Sequence, residues 1–302
     1  LICVCGPNIL PRLFPRKQMG LAVGIWSQWI PCGTIIAFFT APLVFEATGN
    51  WQGIWFVTLA LGIVALILLI ALVKMPQKNE NEIVAGDASI VAKPGKQFAS
   101  AALVCVVFFI WVFVYVVNIN GMYPTFLQDV KGMSVFDSSM LPNWLAIITI
   151  PLGIVAGLVS DKFAIRKKAL VTFYVVTALI FFFLAFTPGE DATSSWAFCI
   201  IMGVCASFIP TYTRGITPLL CTDSFKCDMA LCLMAFFTGA AQVCAVFASM
   251  SVAAIGWFAN AQFVLAPLCL VAAVAIAIVV KDDKKVVETR KQEEEADRAA
   301  VA

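Results

Sequence analysis

Histidine is absent from the 302 residues, which removes the usual general base near neutral pH and the commonest metal ligand. Charge is scarce too: Asp, Glu, Lys and Arg make up 13% of the chain, against 62% hydrophobic residues, far from the balance of a soluble domain. Eleven cysteines are present, but no C-x-x-C pair occurs. Apart from Cys3 and Cys5 they stand singly, as small apolar packing residues do. No acidic residue lies inside the apolar stretches, and no nucleophile–base pair does either. Hydrolytic and metal-assisted chemistry therefore lacks its residues, so the chain reads as a non-enzyme with no cofactor. Nucleic acid is excluded as a partner because the basic residues are divided among short joints.

What is there is a succession of long apolar stretches. A helix needs roughly 20 mostly apolar residues to cross the hydrocarbon core with its backbone satisfied internally. Eight stretches meet that length: Gly20–Phe45, Trp51–Val73, Phe98–Met122, Ser138–Ser160, Ala169–Phe186, Thr193–Leu220, Met229–Met250 and Ile255–Val280. Residues Leu1–Leu10 read as the end of a ninth. The expected fold is an all-α transmembrane bundle with the lipid bilayer as its surroundings. The chain opens on Leu1 inside apolar sequence, with no basic flank of the kind a signal peptide carries. The expectation is a C-terminal part of something longer.

The joints orient the spans. Arg12, Arg16 and Lys17 precede the first span, and Lys74, Lys78, Lys93 and Lys96 follow the second. Lys162, Arg166, Lys167 and Lys168 follow the fourth, Lys226 follows the sixth, and six more Lys or Arg follow Val280. The alternate joints carry only Lys131 among acidic Glu46, Asp129, Asp137, Glu190 and Asp191. Cationic joints stay cytoplasmic, which puts the C-terminus inside a multi-pass protein of the cell (cytoplasmic) membrane.

Compared with itself at an offset of about 210 residues, the chain shows a weak repeat. Met19-Gly20-Leu21 falls on Met229-Ala230-Leu231, Asn50 on Asn260, Gln52 on Gln262 and Lys74 on Lys284. The first two full spans thus repeat the last two. On that register residues 98–280 form one six-helix unit, and an earlier unit keeps only its end, with about 110 residues expected before Leu1.

The stretch Phe14-Pro15-Arg16-Lys17-Gln18-Met19-Gly20-Leu21-Ala22-Val23-Gly24 resembles the loop and fifth-helix start of the major facilitator superfamily. Trp51-Gln52-Gly53-Ile54-Trp55-Phe56 resembles the start of its sixth helix. Gly157-Leu158-Val159-Ser160-Asp161-Lys162 followed by Arg166-Lys167-Lys168 is similar to its loop 8–9 motif, with Ala164 and Ile165 departing from the pattern. Covering the whole chain, the resemblance implies helices 5 to 12 of twelve. Residues 1–73 would be the remnant of an N-terminal half (end of helix 4, helices 5–6) and 74–97 a cytoplasmic linker. Residues 98–280 would be the C-terminal half and 281–302 a charged cytoplasmic tail. The implied function is secondary transport of a small solute by alternating access, as symporter or antiporter, with a coupled proton or counter-solute as a further partner. The rival reading is a non-transporting receptor or assembly protein on the same scaffold.

Arg214 is the leading site residue. A charge inside a span is costly unless it faces water, a partner or a ligand, and a guanidinium can clamp a carboxylate or other small anion. This makes a small organic or inorganic anion the expected solute. The expected depth is about 12 Å from the cytoplasmic face, because the span is read as running to Leu220. The alternative is an earlier helix end, with Arg214 snorkelling or paired structurally. Asn118, Asn120 and Tyr123 are uncharged groups that could read a solute, or else cap a helix break at Gly121 and Pro124. Gly157, Asp161, Lys162 and Arg166 are the gating motif that the resemblance implies; the alternative is plain positive-inside charge. Gly20, Gly24, Gly153 and Gly157 stand at G-x-x-x-G spacing and permit close helix approach, either as a sliding contact between the halves or as static packing.

Overall fold

The computed structural model describes residues 19–72, 97–163, 165–187, 193–217 and 224–280. The side-chain surroundings of Met19, Gly20, Leu72, Gln97, Phe98, Asp161 and residues 224–228 fall outside this description. So do Leu1–Lys17, most of the 74–97 linker and the 281–302 tail, along with the expectations placed on them.

All regular structure among the described residues is helical. The elements are α1 (Met19–Trp26), α2 (Trp29–Thr48), α3 (Gln52–Leu72), α4 (Gln97–Trp111), α5 (Tyr123–Asp129), α6 (Val135–Phe163) and α7 (Arg166–Phe183). They continue as α8 (Thr193–Ile216), α9 (Ser224–Val243), α10 (Ala245–Ile255), α11 (Trp257–Asn260) and α12 (Ala266–Val279). Two widened π-helical stretches interrupt this order, Val112–Met122 between α4 and α5, and Ala261–Leu265 between α11 and α12.

Seven continuous segments are long and apolar enough to cross a membrane: Leu21–Thr48, Gln52–Ala71, Ala99–Asp129, Val135–Ser160, Thr193–Ile216, Met229–Ile255 and Trp257–Val279. Eight were expected. The difference is α7, whose 18 residues begin with Arg166, Lys167 and Lys168, leaving too short an apolar remainder. It is nonetheless a helix where one was expected, packed against α8 and α12. Helix α8 is described to Ile216, with Pro218 disfavouring helical geometry at Thr217; the expected span end at Leu220 lies outside the described residues.

Packing follows small residues and cross-helix hydrogen bonds, since lipid supplies no hydrophobic drive between helices. The core lies among α4, α6, α7, α8, α9 and α12. The Tyr174 hydroxyl of α7 donates to the Val107 carbonyl of α4 at 3.2 Å, and Ser207 of α8 donates to the Thr149 carbonyl of α6 at 3.2 Å. Gln262 Nε2 donates to the Phe182 carbonyl at 3.0 Å, binding the second π stretch to α7. Helices α1 and α2 lie on α6, and α3 packs mainly against α2.

The two end segments share an order of pieces. A span broken at Ser27–Gln28 (α1, α2) leads through Gly49 into α3, and a span broken at Cys244 (α9, α10) leads through Gly256 into α11 and α12. Both turn glycines have positive φ, 63° and 83°, which a side chain would oppose. Phe186 also has positive φ, at 56°, and it is the one non-glycine described residue that does. It follows α7, where the amides of Leu184 and Ala185 both reach the Ile180 carbonyl at 2.9 Å.

Candidate functional site

Arg214 lies in the last turn of α8 and is only 6% exposed. Its guanidinium carbon sits 5.4 Å from the Trp26 ring of α1 and 5.1 Å from the Phe108 ring of α4. The cation therefore lies within cation–π range of two rings from helices far apart in sequence, which is favourable to a desolvated guanidinium. The C-terminal end of α8 adds a favourable dipole. The described part of α8 runs two residues beyond Arg214, and the expected span end at Leu220, on which the depth of about 12 Å rests, lies outside the described residues. The side chain is turned into the bundle rather than outward.

The polar residues of the π stretch stand elsewhere. Asn118 is buried and donates through Nδ2 to the Phe113 carbonyl at 2.9 Å, serving the widened backbone. Asn120 Oδ1 and the Tyr123 hydroxyl are buried, beside the Tyr115 hydroxyl and the Ser195 side chain respectively. The Tyr115 hydroxyl neighbours the side chains of Asn120 and Thr149. Tyr123 neighbours Ser195 and packs 4.8 Å from the Phe198 ring. From Phe198 to Arg214 along α8 is about 24 Å at 1.5 Å per residue. Arg214 and the Asn120–Tyr123 group are thus not brought together; they occupy opposite ends of the bundle.

Arg166 opens α7, is 4% exposed and donates from Nε to the Ser160 hydroxyl at 2.6 Å. It lies against Gly215, so it meets the same last turn of α8 that carries Arg214. Lys162 is exposed, its ammonium 5.4 Å from the Phe163 ring. The two basic members of the motif have therefore parted, Arg166 turned into the bundle and Lys162 out of it.

Gly24 of α1 meets α6 at Gly153 and Gly157. A Cβ at Gly24 would lie 2.9 Å from the Gly153 carbonyl oxygen and 3.3 Å from the Gly157 Cα. A Cβ at Gly153 would overlap the carboxamide of Gln28, whose Nε2 donates to the Gly24 carbonyl at 2.7 Å.

Sequence reasoning missed Trp26, Phe108, Gln28 and Tyr115. Gln28 carried a signal, as an amide inside an apolar span; the aromatic residues carried none, because rings are common in such stretches.

The sequence profile of the Major Facilitator Superfamily matches residues 2–226. The chain belongs to that family. Membership in the Major Facilitator Superfamily makes this a multi-pass membrane protein of a transporter family rather than an enzyme family. It also implies a transported solute. No match was found among curated proteins.

Proposed function

We propose that the chain serves secondary active transport of a small anion by alternating access, in the cytoplasmic membrane with its C-terminus inside. The observation that carries the anion reading is Arg214, a buried cation inside the bundle, near the Trp26 and Phe108 rings. A guanidinium is the side chain whose planar, charge-assisted donors match a carboxylate or phosphate edge. The Asn120–Tyr123 group is a second, uncharged station nearer the other end of the spans. Residues 98–280 act as one half of the transporter and 1–73 as part of the other, with Gly24, Gly153 and Gly157 at their contact. Residues Gly157, Asp161, Lys162 and Arg166 form the cytoplasmic gate, and the basic joints give the orientation.

The test is uptake into proteoliposomes of small anions, neutral solutes and cations, with and without a pH gradient, for the protein and for Arg214→Gln. Anion uptake lost in a folded Arg214→Gln protein is the expected result. Uptake of neutral or cationic solutes that survives the substitution would sink the anion reading. No uptake at all would favour a receptor or assembly role on the same scaffold.

A further inference from the structure

Two residues connect α6 to α7, since α6 ends at Phe163 and α7 begins at Arg166. From Asp161 to Lys168 the chain carries four bases, Lys162, Arg166, Lys167 and Lys168, against one acid. Set among them are two large apolar side chains that point away from the protein, Phe163 at 53% exposure and Ile165 at 40%. Lys162 and Lys168 are exposed as well.

The bases and the apolar residues form pairs. Lys162 lies with Phe163, its ammonium 5.4 Å from the ring centroid. Lys168 stands three residues after Ile165, whose carbonyl accepts the Ala169 amide at 2.9 Å to open α7, so the two are neighbours on the helix surface. Arg166 is turned the other way: it is buried, and its Nε donates to the Ser160 hydroxyl at 2.6 Å. That bond ties the start of α7 to the end of α6 and leaves the two lysines, with Phe163 and Ile165, facing outward.

Depth decides what such a surface meets. The membrane-spanning part of α6 ends at Ser160. Phe163 lies about 4.5 Å beyond it along the helix. That is within the headgroup layer, about 5–7 Å thick on each side of the hydrocarbon core. A ring and a branched alkyl group suit this layer, beside ammonium groups on long stems that reach the phosphates. The joint at the other end of α6 is different. There Lys131 is buried, whereas Asp129 and Asp137 are exposed, so that end offers carboxylates.

We infer that the α6–α7 joint is a docking surface for anionic phospholipid. Lys162 and Lys168 hold headgroup phosphates, and Phe163 and Ile165 enter the acyl boundary between them. Charge complementarity and depth together select this partner, because an acidic soluble segment has no use for an apolar pair at headgroup level. The inference rests on the membrane setting of the family and not on the identity of the solute. It gives Lys162, named above with the gate, a partner on the lipid side.

The purified full chain in neutral detergent is titrated with phosphatidylglycerol or with phosphatidylcholine of the same acyl chains. Bound lipid is counted by native mass spectrometry. Each lysine beside an anionic surface contributes about fivefold in affinity. Phosphatidylglycerol is therefore expected to bind at least tenfold more tightly than phosphatidylcholine. Lys162→Gln with Lys168→Gln should abolish that preference, whereas Lys162→Arg with Lys168→Arg should keep it. Phe163→Ser with Ile165→Ser should weaken both lipids alike, since it removes apolar area and no charge. Equal affinity for the two lipids would overturn the surface, and so would a preference that survives the glutamine pair. Displacement of phosphatidylglycerol by an equal concentration of inorganic phosphate would also overturn it, assigning the lysines to a free anion. Either result leaves the transport reading standing, because no uptake is measured.

Discussion

Gly24 and Gly153 meet backbone to backbone: a methyl group on Gly24 would stand 2.9 Å from the Gly153 carbonyl oxygen and 3.3 Å from the Gly157 Cα one turn along α6. Neither neighbour is the end of a flexible chain, so α1 and α6 must separate to admit one. Gly24→Ala is expected to cost about 1–3 kcal/mol through overpacking. Thermal unfolding in detergent would show it, and a midpoint equal to that of the unchanged protein would contradict the contact.

Gly153→Ala meets a different obstacle, the carboxamide of Gln28. That group is a side chain and can be removed. The expected pattern is a destabilised Gly153→Ala protein that Gln28→Ala substantially rescues, since the two residues share one space. Additive losses in the double variant would place the strain elsewhere.

Ser160 accepts from the buried Nε of Arg166 at 2.6 Å. A hydrogen bond to a charged group contributes about 1.5–3 kcal/mol, and its loss leaves part of the guanidinium desolvated. Ser160→Ala should lower the unfolding midpoint by an amount of that order, while Ser160→Thr keeps most of the stability. Equal midpoints for all three proteins would remove Ser160 as the anchor of Arg166.

The ring of Trp26 faces Arg214 at 5.4 Å. If the ring fixes the guanidinium for an anion, Trp26→Ala forfeits about 1 kcal/mol of that arrangement. Apparent KM for anion uptake should then rise roughly fivefold with little change in maximal rate. Trp26→Phe should fall between. A changed maximal rate with unchanged KM would assign Trp26 to the rocking of the bundle rather than to the site.

Gly256 combines φ 83° with ψ 166°, whereas Gly49 sits in the ordinary left-handed region at φ 63° and ψ 9°. Alanine should therefore be worse at the former. Gly256→Ala is expected to cost about 1–3 kcal/mol, and Gly49→Ala about 1 kcal/mol. Unfolding midpoints in the reverse order would show that the α10–α11 bend relaxes in solution.

The membrane-spanning character of the fold was legible because hydropathy and length alone decide it. Arg166-Lys167-Lys168 marked the start of α7, a helix where an apolar stretch was expected, and also shortened its apolar run. Arg214 was legible as a charge within an apolar stretch, and its burial within the bundle agrees with that. Gly121 and Pro124 signalled a break in the third span. The chain answers with a π stretch, and Asn118 turns its amide to the freed Phe113 carbonyl. What no one-dimensional pattern could reveal is which rings meet across helices. Trp26 and Phe108 converge on Arg214 only after three separate helices pack, and the same holds for Phe186 and Trp257.

Helix α3 has no buried residue in its membrane-spanning window, and its contacts run mainly to α2. Its join to the bundle is a short polar turn, where the Gln52 amide donates to Asn50 Oδ1 at 3.0 Å and Thr48 Oγ1 caps the Val44 carbonyl at 2.7 Å. Among the described residues α3 is held mainly by α2, and hydrocarbon tails suit its remaining side chains. Under a pulling force applied at its far end, α3 should come away as a separate early event. The bundle behind it would keep its length and its hydrogen bonds, and the tether at Gly49 would take up the load.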